Sequence, residues 1–161
     1  MRRLIAIVDQ ENGVAKGGGI PWSFPEDLAF FRQKTRGATV FMGRKTFLGL
    51  PVRPLPDKHN VVLSRTHSTL PGAEVFTSLE KALEQYSDGW IMGGAQLYAY
   101  ALEQELVDMV YLTRMRQAYG ADVCLKDAHW KAFSWYKLRE TEGADFLLGL
   151  RSVPPNTRES L

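Results

Sequence analysis

The chain has 161 residues, of which 45% are apolar and 24% charged, and its net charge is +2. This length predicts one domain with a substantial core, and the small net charge with scattered basic residues argues against a nucleic-acid surface. The first apolar run ends at Asp9, which is too short for a signal segment or a membrane span. Cys124 is the only cysteine, so we expect a reducing, cytoplasmic environment and a half-buried thiol that fills space.

The N-terminal part of the chain predicts a strand, a loop and a helix. Residues 4–8 are rich in branched apolar side chains, which is typical of a buried strand. Residues 9–19 contain three successive glycines and predict a mobile loop, which is either a lid over a site or a plain connector. Residues 25–34 predict the first helix, because Pro25 suits its first position.

An acidic pair lies in the first turn of this predicted helix. Glu26 and Asp27 stand where the helix dipole favours negative charge. Helical spacing places Asp27 on one face with Phe31, and Leu28 lies beside them. A carboxylate on an apolar face lies either at the rim of a core or in a pocket for a cationic or amide-like partner. The alternative is that both acids are ordinary first-turn residues.

Three predicted strands end beside turns that favour anion binding. The strand at 39–42 leads into Gly43-Arg44-Lys45-Thr46, the strand at 61–65 ends in Ser64-Arg65, and the strand at 90–92 leads into Gly93-Gly94 and a helix at 95–102. Free N–H groups at helix starts, hydroxyls and cations bind anions, although solvated basic residues are the alternative at the first turn. Because ligands bind at the carboxyl ends of parallel strands, the three turns together predict a nucleotide with more than one phosphate.

The remaining segments complete an α/β domain. They predict a stiff proline-rich connection at 50–58, a short strand at 74–76, a helix from Ser78 to about residue 86, a strand at 107–115, a loop at 118–131 and an antiparallel pair at 133–139 and 145–151. We therefore expect one domain over residues 1–152, with a predominantly parallel central sheet of about eight strands, flanking helices and an antiparallel C-terminal edge hairpin. Residues 153–161 are predicted to be a disordered tail.

Seven motifs, in order and spacing, resemble those of dihydrofolate reductases of the bacterial chromosomal, plasmid or phage type, over about residues 3–151. They are Leu4-Ile5-Ala6, Ile20-Pro21-Trp22 through Pro25-Glu26-Asp27-Leu28, Val40-Phe41-Met42-Gly43-Arg44-Lys45-Thr46-Phe47, Arg53-Pro54-Leu55-Pro56, Leu63-Ser64-Arg65, Met92-Gly93-Gly94-Ala95-Gln96-Leu97-Tyr98 and Tyr111-Leu112-Thr113. The resemblance implies the dihydrofolate reductase fold and an NADPH-dependent reduction of 7,8-dihydrofolate to 5,6,7,8-tetrahydrofolate. It also implies a monomer that binds antifolate inhibitors and has no nucleic-acid, membrane or metal partner.

The resemblance assigns roles to individual residues. Asp27 is the carboxylate that hydrogen-bonds the amidine-like edge of the pterin, Thr113 supports it, and Trp22 packs near the ring and helps to hold a water. The implied substrate contacts are Ile5, Ala6, Asp27, Leu28, Phe31, Leu50, Arg53, Leu55, Lys58, Met92, Tyr98 and Thr113. The implied cofactor contacts are Ala6, Ile7, Val14, Ile20, Gly43, Arg44, Lys45, Thr46, Leu63, Ser64, Arg65, Met92, Gly93, Gly94, Ala95, Gln96, Leu97 and Tyr98. Among these, Arg44 and Arg65 suit a 2′-phosphate and so favour NADPH over NADH.

The chain departs from the family pattern at four places. Lys58 stands where arginine usually holds the glutamate α-carboxylate, so we expect weaker binding of that group because lysine lacks the bidentate fork. Val14-Ala15 replaces isoleucine-glycine, Gln96 replaces a frequent arginine, and Cys124-Leu125-Lys126 replaces an aromatic-proline pair.

Two other functions fit parts of the pattern. The related reductase of riboflavin synthesis shares the fold and the cofactor, but the Pro21-Trp22 motif with Asp27 argues against it. A protein that binds folate or nucleotide without catalysis is the second alternative. The presence of Asp27 and of the Gly93-Gly94 pair argues against that reading.

Overall fold

The computed structural model describes residues 1–17 and 19–152, so the tail predicted at 153–161 lies outside the described residues. The strands in this part of the chain are β1 (Arg3–Val8), β2 (Gly13–Ala15), β3 (Thr39–Gly43), β4 (His59–Leu63), β5 (Glu74–Phe76), β6 (Trp90–Gly93), β7 (Met109–Met115), β8 (Val123–Cys124), β9 (Phe133–Glu140) and β10 (Ala144–Arg151). The helices are α1 (Pro25–Thr35), α2 (Arg44–Leu48), α3 (Leu79–Gln85), α4 (Ala95–Glu103) and α5 (Asp127–Trp130).

Eight of these strands form one central sheet in the order β5-β4-β3-β6-β1-β7-β10-β9. Strand β1 lies between β6 and β7 and is parallel to both. Strand β10 is antiparallel to β7 and to the edge strand β9. The predicted fold class, a mostly parallel sheet of about eight strands with an antiparallel C-terminal hairpin at its edge, is therefore confirmed.

Successive residues of the central strands face two separate cores. Leu4, Phe41 and Ile91 pack in one cluster with residues of α3 and α4. Ile5 and Met42 pack in the other cluster, with residues of α1 and α2. Because side chains alternate between the faces of a sheet, and both faces here are covered by helices, these strands have nearly unbroken apolar sequences.

The two segments that were predicted to be loops throughout, residues 9–19 and 118–131, contain regular structure. Strands β2 and β8 pair antiparallel, with Gly13 opposite Cys124 and Ala15 opposite Val123, and α5 follows β8. Both predictions were wrong in this respect. Glycine-rich or polar segments of two or three residues have no local strand pattern, and these strands exist through pairing with a partner about 110 residues away in the chain.

Two smaller predictions are also corrected. The strand predicted at 61–65 is His59–Leu63, because the parallel pairing with β3 begins at Thr39 opposite His59. Cys124 is exposed on β8 and does not fill a half-buried position. The pKa of its thiol is nevertheless raised, first by the partial loss of solvent around the sulfur and then by the charges of Asp9, Glu11 and Asp122, which disfavours a nucleophilic thiolate.

No helix within residues 1–17 and 19–152 has the length and apolar composition that crossing a membrane would require. In the same residues, His, Cys, Asp and Glu side chains form no group of three that could hold a metal ion.

Candidate active site

The first turn of α1 places Asp27 against the central strand β7. Thr113 of that strand is 1% exposed, and its Oγ1 donates a hydrogen bond of 2.7 Å to Oδ1 of Asp27. These two residues are 86 positions apart in the sequence, so the contact is made only in the folded sheet. The structure thus places the predicted carboxylate and its predicted supporting hydroxyl together.

The surroundings of Asp27 disfavour its charged form. Burial raises the pKa of this carboxyl above its ordinary value, and the hydrogen bond from Thr113 opposes that rise without cancelling it. A partly buried carboxylate with one oxygen held by Thr113 is expected to gain stability from further N–H donors. The sequence left two alternatives for Asp27, a position at the rim of a core or a pocket for a cationic or amide-like partner. Its partial burial and raised pKa favour the second.

On the face of the sheet that α1 covers, apolar side chains form a surface next to the helix that carries Asp27. It belongs to the core cluster of α1 and α2, and the predicted substrate residues in that cluster are Ile5, Phe31, Leu50, Leu55 and Met92. Only Ile5 among them is fully buried, and the others are partly exposed. Leu28 directly follows Asp27 in the first turn of α1 and is 49% exposed. Partly exposed apolar side chains around one carboxylate are typical of a binding cleft.

Tyr98 connects the two central strands beneath this surface. Its hydroxyl oxygen lies 2.8 Å from the carbonyl oxygen of Ile5 in β1 and 2.5 Å from that of Met92 in β6. Burial first, and then the charge of Asp27, raise the pKa of this phenol, so it remains a neutral hydrogen-bond donor. Tyr98 therefore fixes the backbone at the point where the predicted substrate and cofactor contacts meet.

The Gly93-Gly94 pair closes β6 and begins α4. Gly93 has φ +141°, a region that L-residues rarely adopt, and the peptide between the two glycines is cis. A Cβ on Gly94 would lie 3.0 Å from Oγ1 of Thr46 in α2, so a side chain would crowd the space between these two helix starts. This backbone leaves room for a group to approach closely, which fits the predicted site for a pyrophosphate.

The register of the sheet places the three predicted anion-binding turns side by side, at the carboxyl ends of the adjacent parallel strands β3, β4 and β6. Gly93 of β6 pairs with Met42 of β3, and Gly43 pairs with Leu63 of β4. The following residues, Arg44, Lys45, Thr46, Ser64 and Arg65, therefore leave the sheet side by side. The prediction that these turns would converge is supported by the structure, while their contact with phosphate remains a proposal.

Lys58 lies beside α1, against a residue of the same apolar surface. Its Nζ is 5.6 Å from the centre of the Phe31 ring. Burial lowers the pKa of this ammonium, the charges of Arg32 and Arg36 lower it further, and Asp57 opposes them. An ammonium among other cations is expected to favour an anionic partner.

Trp22 is half-buried and packs on a residue that the sequence did not single out. The centres of the Trp22 and Tyr119 rings are 5.4 Å apart. The backbone N–H of Tyr119 donates to Oδ2 of Asp9, whose other oxygen accepts the N–H groups of Glu11 and Gly13. Asp9 thus joins the loop before Trp22 to the loop that carries Tyr119.

We expect Asp9→Asn to destabilise the fold at neutral pH by on the order of 1 kcal/mol, because asparagine loses the charge that the three N–H groups stabilise. Burial raises the pKa of Asp9, but the N–H groups of Tyr119, Gly13 and Glu11 outweigh it and the net pKa is lowered. The stabilisation is therefore present above the ordinary aspartate pKa and is lost as the pH falls through the lower folded-state pKa. Urea unfolding of both proteins from pH 7 to pH 2 tests this. A difference that does not shrink at low pH would contradict it.

The other predicted contacts are distributed around this site. Ala6 and Val14 pack in the core cluster of α3 and α4, so their side chains are not part of the apolar surface beside α1. Ile20 is 62% exposed and belongs to neither cluster. Arg53 is exposed and donates from Nη1 to the carbonyl of Leu48. The remaining ones lie at strand ends or in the first turn of α4, namely Ile7, Leu63, Ala95, Gln96 and Leu97.

Sequence reasoning missed three polar residues that hold the loops around the site. They are Asp9, Tyr119 and Asn60, of which Asp9 is 1% and Asn60 2% exposed. The residue types carried a weak signal, since a polar side chain inside or beside an apolar strand pattern needs a partner when buried. The partners of Asp9 and Asn60 could not be identified from spacing, because they are backbone groups of irregular loops.

Comparison with known proteins finds that this chain is similar to dihydrofolate reductases. The family model described as dihydrofolate reductase matches residues 1–146. The dihydrofolate reductase of Mycobacterium tuberculosis (strain ATCC 25618 / H37Rv) is 52% identical over 92 residues, which cover 55% of this chain and 56% of that protein, so the match spans about half of its length. The one from Neisseria meningitidis serogroup B is 38% identical over 135 residues, covering 80% of this chain and 82% of that protein.

A solved structure gives the same result for the fold. The structure of dihydrofolate reductase from Enterococcus faecalis, complexed with NADP(H) and RAB-propyl, matches with a TM-score of 0.80 and 25% identity. The match covers 95% of this chain and 97% of that one.

Proposed function

The chain belongs to the dihydrofolate reductase family, and from this premise we propose that it reduces 7,8-dihydrofolate to 5,6,7,8-tetrahydrofolate with NADPH. The observation that carries the proposal is the hydrogen bond of 2.7 Å from Thr113 to the partly buried carboxylate of Asp27. The apolar surface beside it suits the flat pterin and benzoyl parts of the substrate, and the three turns at the sheet edge suit the phosphates of the cofactor.

Asp27 orients the pterin in this proposal. Its carboxylate accepts two parallel N–H bonds from the amidine-like edge of the ring, and Thr113 holds the carboxylate in place. Two hydrogen bonds to one planar group fix both the position and the rotation of the ring, so the bound pterin is held in the orientation that the reaction requires. Asp27 also promotes protonation of the ring nitrogen through its hydrogen bonds and a bound water, not as a direct donor.

The cofactor fits the residues that are present. Gly94 leaves a space that a Cβ would fill against Thr46, and Arg44 and Arg65 follow neighbouring strands at the same edge. Bound there, NADPH supplies the hydride for the imine carbon of the substrate. The contribution of this chain is to align the two rings, exclude water and provide cations for the 2′-phosphate.

The experiment that tests the function follows the NADPH absorbance band after dihydrofolate is added. We expect oxidation that requires both compounds and is much slower with NADH, because Arg44 and Arg65 are then without the 2′-phosphate. Tight binding of NADPH and folate without turnover would indicate the alternative of a binding protein.

Replacing Lys58 with arginine is expected to lower the KM for dihydrofolate by roughly fivefold, which corresponds to about 1 kcal/mol of added hydrogen bonding. Arginine keeps its charge where burial and neighbouring cations lower the pKa of Lys58, and its fork can bind the glutamate carboxylate through two bonds. Steady-state kinetics measure the effect, with the KM for NADPH as the internal control. An unchanged KM for dihydrofolate would count against this role of Lys58.

We also propose which inhibitors the protein binds, where it is located and in which oligomeric state it occurs. Antifolate inhibitors with an amidine-like edge would bind to the same carboxylate of Asp27. A cytoplasmic location is in keeping with a chain whose single cysteine forms no intramolecular disulfide. The resemblance to the family favours a monomer. Sedimentation of the purified protein would test the oligomeric state.

A further inference from the structure

The turn over residues 55–58 connects two parts of the proposed substrate site. Leu55 belongs to the apolar surface, and Lys58 places its ammonium 5.6 Å from the ring centre of Phe31. Between them Asp57 has φ +60°, and its carbonyl accepts the N–H of Gly37 at 2.8 Å. The turn is irregular, so the positions of both side chains depend on what holds its backbone.

The side chain of Asn60 provides that support. Its Oδ1 accepts the N–H of Leu55 at 2.9 Å, and its Nδ2 lies 3.0 Å from the carbonyl oxygen of Leu55 and 3.2 Å from that of Lys58. Asn60 is 2% exposed and begins the buried part of β4, where the sheet fixes its backbone opposite Val40. One buried amide therefore ties both ends of the turn to the central sheet.

We propose that Asn60 is a positioning residue for the substrate tail, holding the turn over residues 55–58 so that Lys58 receives the carboxylate of the glutamate. This inference rests on the proposed function, since it needs a folate as the ligand. It assigns to Asn60 a role in binding one part of the substrate, beyond its contribution to the fold.

The physical reason is the flexibility of lysine. Its four-carbon stem carries a point charge, so its direction is set by the backbone from which it starts. Without Asn60, the N–H and carbonyl of Leu55 and the carbonyl of Lys58 lose these hydrogen bonds. In the part of the chain that the structure describes, no other side chain bonds to all three groups. Small displacements of a binding group reduce affinity strongly, so the loss should appear in the ligand part that Lys58 contacts.

The test compares two ligands in the same protein. Folate has the pterin ring and the glutamate tail, whereas 6-methylpterin has only the ring. Their Kd values are measured by quenching of tryptophan fluorescence. For Asn60→Ala we expect the Kd for folate to rise about tenfold and that for 6-methylpterin to change by less than about twofold, because Asp27 and its bond from Thr113 remain. Equal weakening of both ligands would overturn the proposal, as a general loss of structure would produce it.

A double-mutant cycle shows whether the effect passes through Lys58. We expect Asn60→Ala to add little to the loss of folate affinity in a Lys58→Ala background. Full additivity would overturn the proposal. If Asn60→Ala does not fold, Asn60→Asp takes its place. This variant keeps the acceptor for the N–H of Leu55 but loses the hydrogen bonds that Nδ2 donates to the carbonyls of Leu55 and Lys58. Its Kd values for folate and 6-methylpterin, alone and with Lys58→Ala, are judged by the same criteria. Since the readout is binding, a chain that binds folate without turnover would refute the proposed reaction and leave this result intact.

Discussion

Replacing Asp27 with asparagine is expected to lower the turnover of dihydrofolate at neutral pH by about 100-fold or more, the usual contribution of a positioned acid–base group. Asparagine has nearly the same shape and can still accept the hydrogen bond from Thr113. It has no negative charge, however, and presents one acceptor oxygen to the pterin edge in place of two. NADPH oxidation in the presence of dihydrofolate measures the change, and the Kd for NADPH should be nearly unaltered.

The pH dependence gives a second readout of the same substitution. Burial raises the pKa of Asp27, so the pH profile of the wild-type rate should include a carboxyl that titrates above the ordinary aspartate range. The asparagine variant should lack that transition. A variant with the wild-type pH profile and rate would exclude Asp27 from the proton transfer.

Stability measurements separate this loss of activity from unfolding. Since the folded-state pKa of Asp27 is raised, its ionised form is disfavoured in the fold, and wild-type stability should increase as the pH falls through that pKa towards the unfolded value. Removing the ionisable group removes this penalty at neutral pH. We therefore expect Asp27→Asn to unfold at an equal or higher urea concentration than wild type, as is common when a catalytic residue is replaced.

The parts of the fold that were predicted correctly have strong local signals. Pro25 begins α1, and Ser78 caps α3 by accepting the N–H of Lys81, both as their residue types favour. Unbroken apolar runs such as Val40–Met42 identified the buried parallel strands. The pairing of Asp27 with Thr113 was different, because only the resemblance to a family linked residues 86 positions apart.

The parts that were missed depend on contacts between irregular segments. Strands β2 and β8 are stabilised by each other, and no periodicity marks either of them. Asp9 and Asn60 bond to backbone N–H and carbonyl groups of loops, and those groups are the same for every sequence. Residue type can indicate that such a side chain needs partners, but only the folded chain shows which loop supplies them.

Replacing Gly93 with alanine is expected to reduce the free energy of unfolding by about 1–3 kcal/mol, the cost of holding an L-residue in a rarely populated backbone region. Gly93 has φ +141°, while its added Cβ would lie 3.5 Å from the hydroxyl of Tyr98, an ordinary contact. The cost is therefore backbone strain and not a clash. Urea unfolding measures it, with the Kd for NADPH as a second readout.

Gly43→Ala is the matched control for this substitution. Gly43 ends the neighbouring strand β3 beside the same proposed cofactor site, but it has φ −72°. Among the described residues, no atom lies within 4 Å of an added Cβ. Its replacement should change stability by less than about 0.5 kcal/mol, as substitutions without strain or clash usually do. Both variants could weaken NADPH binding while only Gly93→Ala destabilises the fold. That result would show that the loss of binding comes from the close approach of the cofactor to these strand ends, and the loss of stability from backbone strain at Gly93. Equal stability of the two variants would show instead that the chain relaxes at Gly93, and the conformation of β6 before α4 would then not depend on glycine.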